Sequence, residues 1–260
     1  MDIDHEPGQA TNDASPGNQI ILPGRELPSA LQILPQETRP IFPGQAFPFV
    51  MNAALWQPTL QAVQDQGQAV IGVIATRKSL SASPGAADLH DMGTACRIHR
   101  VHRDDEHLHV LLEGLARFRV RDWISSTPPL AARVHYFPEK REEDADGGQD
   151  LKAYAVAIIN TIKELVPLNP LYGEELKVFL ARSNPNEPAI LADFAASLTT
   201  SSRDELQEVL ETIPLLPRME RVLALLQREV GIARTQQEIR SHVEAEISSH
   251  QRKALLTEQL

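Results

Sequence analysis

From Ile232 to Leu260 the chain contains neither glycine nor proline, and strong helix formers dominate, so local propensity dictates one unbroken helical rod. At a rise of about 1.5 Å per residue the rod reaches roughly 40 Å. Ile232, Ile239, Val243 and Ile247 draw only a thin apolar stripe along it, while Arg, Glu, Gln and Ser fill the other faces. Such a helix needs a partner. Its last turn, Thr257, Glu258, Gln259 and Leu260, carries no Gly or Asn stop signal, so the helix is expected to continue and the chain to be a piece of something larger.

The rest of the sequence belongs among water-soluble domains. Of 260 residues, 42% are hydrophobic and 23% charged, and no apolar run approaches the ~18 residues of a membrane span. Residues 1–26 read as a polar, acidic and disordered leader without the basic-then-apolar layout of a secretory signal. Cys96 is the sole cysteine, so no internal disulfide forms, which fits a reducing cytoplasm. A net charge of −10 and a pI near 5.4 argue against sustained contact with nucleic-acid phosphates.

Punctuation divides the chain into unlike halves. The stretch PEKREEDADGGQD has the composition of a solvated connection, and an acidic linker is assigned to residues 139–150. Before it, runs at Ala46 to Met51, Ala69 to Ala75, Gly93 to Val101, His107 to Leu112 and Ala116 to Trp123 have strand length and β-rich composition. Asp104 and Asp105 mark a hairpin tip, and Glu113 with Gly114 a second turn. Pro58 to Gln66 carries Leu60 and Val63 on one helical face, with Pro58 suited to a first turn. The fold class is therefore α+β: a small, curved antiparallel sheet or barrel with one helix over residues 27–138, followed by a helical bundle and a long carboxy-terminal helix.

In the second half Leu151, Tyr154, Ala155, Ile158, Ile159, Ile162, Leu165 and Val166 recur at helical spacing until Pro167 and Pro170. Leu176, Phe179 and Leu180 mark a second helix. Pro188 opens a third with Ile190, Leu191, Phe194 and Leu198 on its buried face. Ser202 and Glu205 form a capping box for a fourth. The bundle is assigned to residues 151–216 and the long helix to 217–260.

Two constellations carry possible binding chemistry. Cys96, His99, His102, His107 and His109 crowd together, with His90 and Asp91 nearby, and His107 and His109 share one strand face. Cys96 and His99 would fall on opposite faces and the spacing matches no standard zinc pattern, so no metal site is assigned and a metal-dependent hydrolase is the outlying alternative. Phe42, Pro43, Phe47, Pro48 and Phe49 form an aromatic and proline cluster. They are either core residues or an exposed apolar patch that grips unfolded polypeptide, and they are the candidate substrate contacts.

Ordered motifs along the chain resemble the amino-terminal region of Lon, the ATP-dependent serine protease. Pro35 and Phe42-Pro43 occupy the anchors of the family's opening motif, although Gln36, Glu37 and Thr38 stand where it has Leu, Arg and Asp or Asn. Gly93-Thr94, read as opening a hairpin, follows. Glu113-Gly114-Leu115 with Arg117 and Phe118 comes next, then Asn186-Glu187-Pro188-Ala189 with Leu191-Ala192-Asp193. Arg240, Val243, Gln251-Arg252 and Leu256-Thr257-Glu258-Gln259-Leu260 resemble the stretch that leads into the family's ATPase module.

The resemblance implies a β domain of the pseudouridine-synthase-associated type, a bundle and a long helix. It also implies capture of unfolded or tagged proteins and assembly of a homo-hexamer, with ATP and Mg2+ acting in another module. A stand-alone Lon-domain binding module or adaptor is the alternative. In this chain no Gly-Lys pair occurs, so the phosphate loop G-x-x-x-x-G-K-S/T is absent. Ser79, Ser81 and Ser83 near Lys78 imitate a serine–lysine pair only on paper, because RKSLSASPGAAD offers no rigid element to hold its geometry. No catalytic or cofactor-binding residue is assigned.

Overall fold

The computed structural model describes residues 21–22, 25–78, 84–139, 148–168, 172–174, 176–177, 179 and 187–258. Strands β1 (Ile21–Leu22) and β2 (Arg25–Glu26) form a small antiparallel ladder within the stretch expected to be a disordered leader. The main sheet comprises β3 (Ala30–Gln36), β4 (Ala46–Asn52), β5 (Val70–Thr76), β6 (Leu89–Arg103), β7 (His107–Ser125) and β8 (Leu130–Phe137). Their order is β4-β7-β6-β5-β3-β8, and β8 returns to pair with β7. Strands β7, β6, β5, β3 and β8 thus close on themselves as a barrel, with β4 attached beside it. This matches the curved sheet expected, except that β3 and β5 run parallel. The crossover this demands runs through β4 and helix α1 (Ala53–Asp65).

Three local readings need correction. Helix α1 begins five residues before Pro58, where the Asn52 side chain accepts a hydrogen bond from the Leu55 amide at 3.2 Å, so Pro58 lies inside the helix rather than in its first turn. Glu113 and Gly114 are no turn: β7 runs through them as one strand of 19 residues. Gly114 answers to a close approach instead. A Cβ there would lie 2.4 Å from the Phe42 carbonyl oxygen, and the Gly114 amide donates to the Gln45 carbonyl at 2.8 Å. Likewise Gly93 and Thr94 do not open a hairpin but sit within β6, where the buried Thr94 hydroxyl donates to the Ile41 carbonyl at 2.5 Å. The hairpin tip at Asp104 is present, its carboxylate accepting from the amides of Glu106 and His107.

Helices α2 (Gly148–Leu165), α3 (Pro188–Leu198), α4 (Arg203–Glu211) and α5 (Leu215–Glu258) build the second half. Pro188 opens α3, and Ser202 with Glu205 caps α4 through both reciprocal bonds. Leu176 and Phe179 are helical, whereas Leu180 lies outside the described residues. Gly148 and Asp150, expected in the linker, already belong to α2. Helix α5 has 44 residues, roughly 66 Å at ~1.5 Å each.

The core divides into three. Trp56, Leu60 and Val63 of α1 pack on Phe49, Leu108 and Leu112; Ile33, Phe118, Leu130 and Tyr136 fill the barrel; Ile158, Leu191, Leu206, Met219 and Leu226 form the bundle core. Phe42 crosses between them. It comes from the β half but is buried in the bundle core, 1% exposed.

Candidate functional site

An open cleft of about 470 Å3 lies where the 39–47 segment faces the bundle. Pro43, Gln45 and Phe47 form one wall, and Phe179, Ile190 and Phe194 the other, with Arg39 and Glu174 among the charged lining. Local sequence fixes both walls. Gly44, at φ +81°, lets the chain turn sharply after Pro43, and its amide donates to the Gly114 carbonyl at 2.9 Å, so the loop is bolted to β7. On the helical side Phe179 stacks on Phe194, ring centroids 4.0 Å apart and nearly parallel. Arg39 braces the floor by donating to the carbonyls of Ser197 and Thr199 at the end of α3, at 3.2 and 3.0 Å.

The five aromatic and proline candidates are therefore placed differently from one another. Pro43 and Phe47 are half-buried in the cleft wall, and Pro48 is exposed on β4. Phe42 and Phe49, at 1% and 7% exposure, are core residues that hold the wall from beneath.

Behind the cleft, a buried ionic network joins the halves. Arg117 of β7 donates to Asp193 of α3 at 2.8 and 2.5 Å, to Glu139 after β8 at 2.8 Å, and to the Leu210 carbonyl of α4 at 3.1 Å. Arg218 of α5 donates to the same Glu139 at 2.7 and 2.9 Å and to Asp193 at 3.5 Å. Both guanidinium side chains are 1% exposed and the Asp193 carboxylate 2%. Burial would raise the Glu139 carboxyl, but the Arg218 hydrogen bond and the Arg218 and Arg117 charges override it and hold it below the usual carboxylate range. Arg117 and Asp193 were visible in the sequence only as motif positions; nothing in their spacing showed that they meet. Around this network, the Gln207 side chain donates to the Met92 carbonyl at 3.0 Å. Arg203 reaches the carbonyls of Glu37 and Arg77 at 3.1 and 3.2 Å, so the 36–38 turn is held against α4.

The histidines do not converge on one site, although His102 and His109 sit opposite each other with ring centroids 6.2 Å apart. Cys96 is fully buried, which pushes its thiol far up, and its sulfur donates to the Thr94 carbonyl at 3.4 Å. His99 pairs with Glu113 at 2.7 Å, His109 with Asp104 at 2.9 Å, and His90 with Glu211 at 3.4 Å. Burial lowers the His90 pKa against the opposing Glu211 charge. Asp91 faces Arg77. Among the described residues no three His, Cys, Asp or Glu side chains converge to hold a metal ion. Lys78 is exposed, and Ser79, Ser81 and Ser83 lie outside the described residues.

This architecture, a small barrel locked to a helical bundle, is the fold of solved Lon N-terminal domains. It superposes on the N terminal domain of a Mycobacterium avium complex Lon protease with a TM-score of 0.55 at 16% identity, covering 76% of this chain and 98% of that one. A Lon N-terminal domain protein from Xanthomonas campestris gives 0.53 at 17%, covering 75% and 97%. The sequence goes further than fold: the family model for the ATP-dependent protease La (LON) substrate-binding domain matches residues 30–228, and the chain belongs to that family. It is 37% identical over 260 residues to Lon protease 2 of Hydrogenovibrio crunogenus, and 40% identical over 261 residues to a Lon protease of Magnetococcus marinus. The matches cover 100% and 99% of this chain but only 29% and 32% of those relatives' lengths. No helix among the described residues is long and apolar enough to cross a membrane.

Proposed function

We propose that this chain is the substrate-capturing and assembly region of a cytoplasmic, ATP-dependent Lon-type protease, and that unfolded or damaged polypeptide binds first in the cleft between the 39–47 segment and α3. ATP, its Mg2+ and peptide-bond cleavage belong to other modules of the larger protein. Residues 27–138 form the β unit, 148–214 the bundle, and the helix that starts at Leu215 is directed toward the ATPase module. The observation that carries the reading is the cleft itself: its apolar lining comes from both halves, and it stays open to solvent. Folded proteins hide apolar side chains and unfolded ones present them, so such a cleft discriminates by folding state. Pro43, Phe47 and Pro48 offer the contacts, with Phe42 and Phe49 as their support. In a homo-hexamer several copies multiply a weak grip through effective concentration.

The test is crosslinking of the chain to a permanently unfolded model protein and to the same protein folded, with Phe47→Ser and Ile190→Ser variants. Preferential capture of the unfolded form, lost in variants whose circular dichroism is unchanged, is expected. Equal capture of both forms, or capture indifferent to both substitutions, sinks the cleft. Phe42→Ser and Phe49→Ser serve only as folding controls, because both rings are core.

A further inference from the structure

Among the described residues, strand β4 has a hydrogen-bonded neighbour on one side only. Its register with β7 runs from Ala46 opposite Glu113 to Asn52 opposite His107. At one end the Gln45 carbonyl accepts from the Gly114 amide, and at the other the Ala53 amide donates to the Glu106 carbonyl, both at 2.8 Å. Backbone polarity alternates along an antiparallel pair, so odd-numbered residues turn their N–H and C=O groups toward β7. Ala46, Pro48 and Val50 turn theirs the other way. All three are exposed, Val50 by 58%, and no described residue bonds their outward groups.

Proline occupies an outward position, the place in a paired strand where a missing N–H costs the sheet nothing. Its effect on guests is asymmetric. Antiparallel pairing of two copies centred on this residue would set Pro48 against Pro48 and lose both bonds of that pair, whereas a foreign strand loses one. The edge therefore disfavours its own kind while keeping the Ala46 and Val50 amides and the Ala46, Pro48 and Val50 carbonyls for a guest. Ala46 and Phe47 also line the cleft, so a segment seated there passes directly onto the edge.

From this arrangement we infer that an extended, apolar segment of non-native polypeptide binds as an added strand on the open edge of β4, continuing from the cleft; the inference rests on the reading that the cleft receives unfolded protein. Main-chain bonding supplies affinity without reading sequence, and it selects for non-native chains because a folded protein has already paired its backbone. Alternate side chains of the guest would lie beside Pro48 and Val50.

The experiment uses the whole chain, a short alternating valine–threonine peptide, and the same peptide N-methylated at every amide. Backbone amide hydrogen exchange reads the edge directly: with saturating unmethylated peptide, exchange at Ala46 and Val50 slows by about fivefold or more, as a new bond with a net worth near 1 kcal/mol requires. The methylated peptide gives no slowing. Pro48→Ala restores a donor and tightens binding about two- to tenfold. Equal binding of the two peptides, or unchanged exchange at both amides, overturns the inference. If capture of unfolded protein nevertheless persists and still depends on Phe47 and Ile190, the edge fails while the cleft stands. If nothing is captured, both fail. A dimer of Pro48→Ala in light scattering, with no gain in peptide binding, would assign the edge to a second copy and equally overturn the inference.

Discussion

Residues 215–233 and 234–247 belong to the same helix, α5, yet they live in different surroundings. In the first segment Met219, Val222, Leu226, Val230 and Ala233 are buried at helical spacing, and so are the charged Arg218 and Glu229. Glu229 is satisfied there, accepting from the Tyr172 hydroxyl at 2.8 Å and from the Thr200 amide and hydroxyl at 2.7 and 2.8 Å. In the second segment every residue is exposed; Ile239, Val243 and Ile247 show 59%, 46% and 52% of their surface. Backbone geometry is common to both, so the contrast isolates what tertiary packing adds. The inner segment is held by burial and by buried paired charges; the outer one has helix propensity, continuity with the inner and only exposed pairs, such as Arg234 with Glu164 of α2 at 2.9 Å, which contribute little.

The strongest way to break that contrast is Asp193→Ala. It strands two buried guanidinium groups, Arg117 and Arg218, with Glu139 as their remaining carboxylate. Removing one partner of a buried ion pair costs about 3–5 kcal/mol, and urea denaturation should show a loss of that size. A loss below about 1 kcal/mol would mean that the network does not hold the halves together. Next in size comes Leu226→Ala, which opens a cavity in the bundle core and should cost about 3 kcal/mol in the same assay. If its unfolding transition splits in two while that of Asp193→Ala stays single, the halves unfold separately and the network is not their link.

How far the sequence already described these regions follows from the range of the forces involved. Periodicity marked α2 and α3, and local chemistry marked the Ser202–Glu205 box, the Asp104 tip and the long rod, because each is decided within a few residues. Strands β3 and β8 were missed. β3 carries Pro35, which reads as a breaker, and LAARVHYF in β8 lacks clean alternation; pairing with each other and with β5 and β7 decides them. Gly114 was misread for a related reason. A glycine that admits a remote backbone looks, in sequence, like a glycine that turns the chain. The cleft was half legible: the aromatic cluster pointed to one wall, but Ile190 and Phe194 entered only as bundle core. The Arg117–Asp193 pair spans a sequence distance no local pattern can bridge.

Acid should act on the inner region, more weakly than these substitutions. Glu139 and Glu205 both titrate below the ordinary carboxylate value: Glu139 by its two arginines against burial, Glu205 to about 2 by its hydrogen bonds to Arg228 and to the Ser202 amide and hydroxyl. A depressed folded-state pKa means that the group stabilises the native state above its unfolded value and that this contribution is lost as pH falls through the folded one. Urea midpoints should therefore fall as pH drops from about 4.5 toward 2, and Glu205→Gln should flatten part of that slope. A slope unchanged by the substitution would remove Glu205 from the account.

The smallest effect belongs to the outer segment and is the most informative for the contrast. Replacing Ile239, Val243 and Ile247 together with serine removes the outer segment's part of the exposed stripe while barely changing helix propensity, since isoleucine, valine and serine rank close together. If the stripe faces water, folding stability shifts by less than about 0.5 kcal/mol per site and helical circular dichroism is preserved. The same substitutions become a sensor for partners. Should the triple variant lose more than about 2 kcal/mol, or should its stability stop depending on protein concentration where that of the parent does, the stripe is covered in solution by another surface. The outer segment would then be held as the inner one is, by burial, with its covering surface supplied from outside the chain.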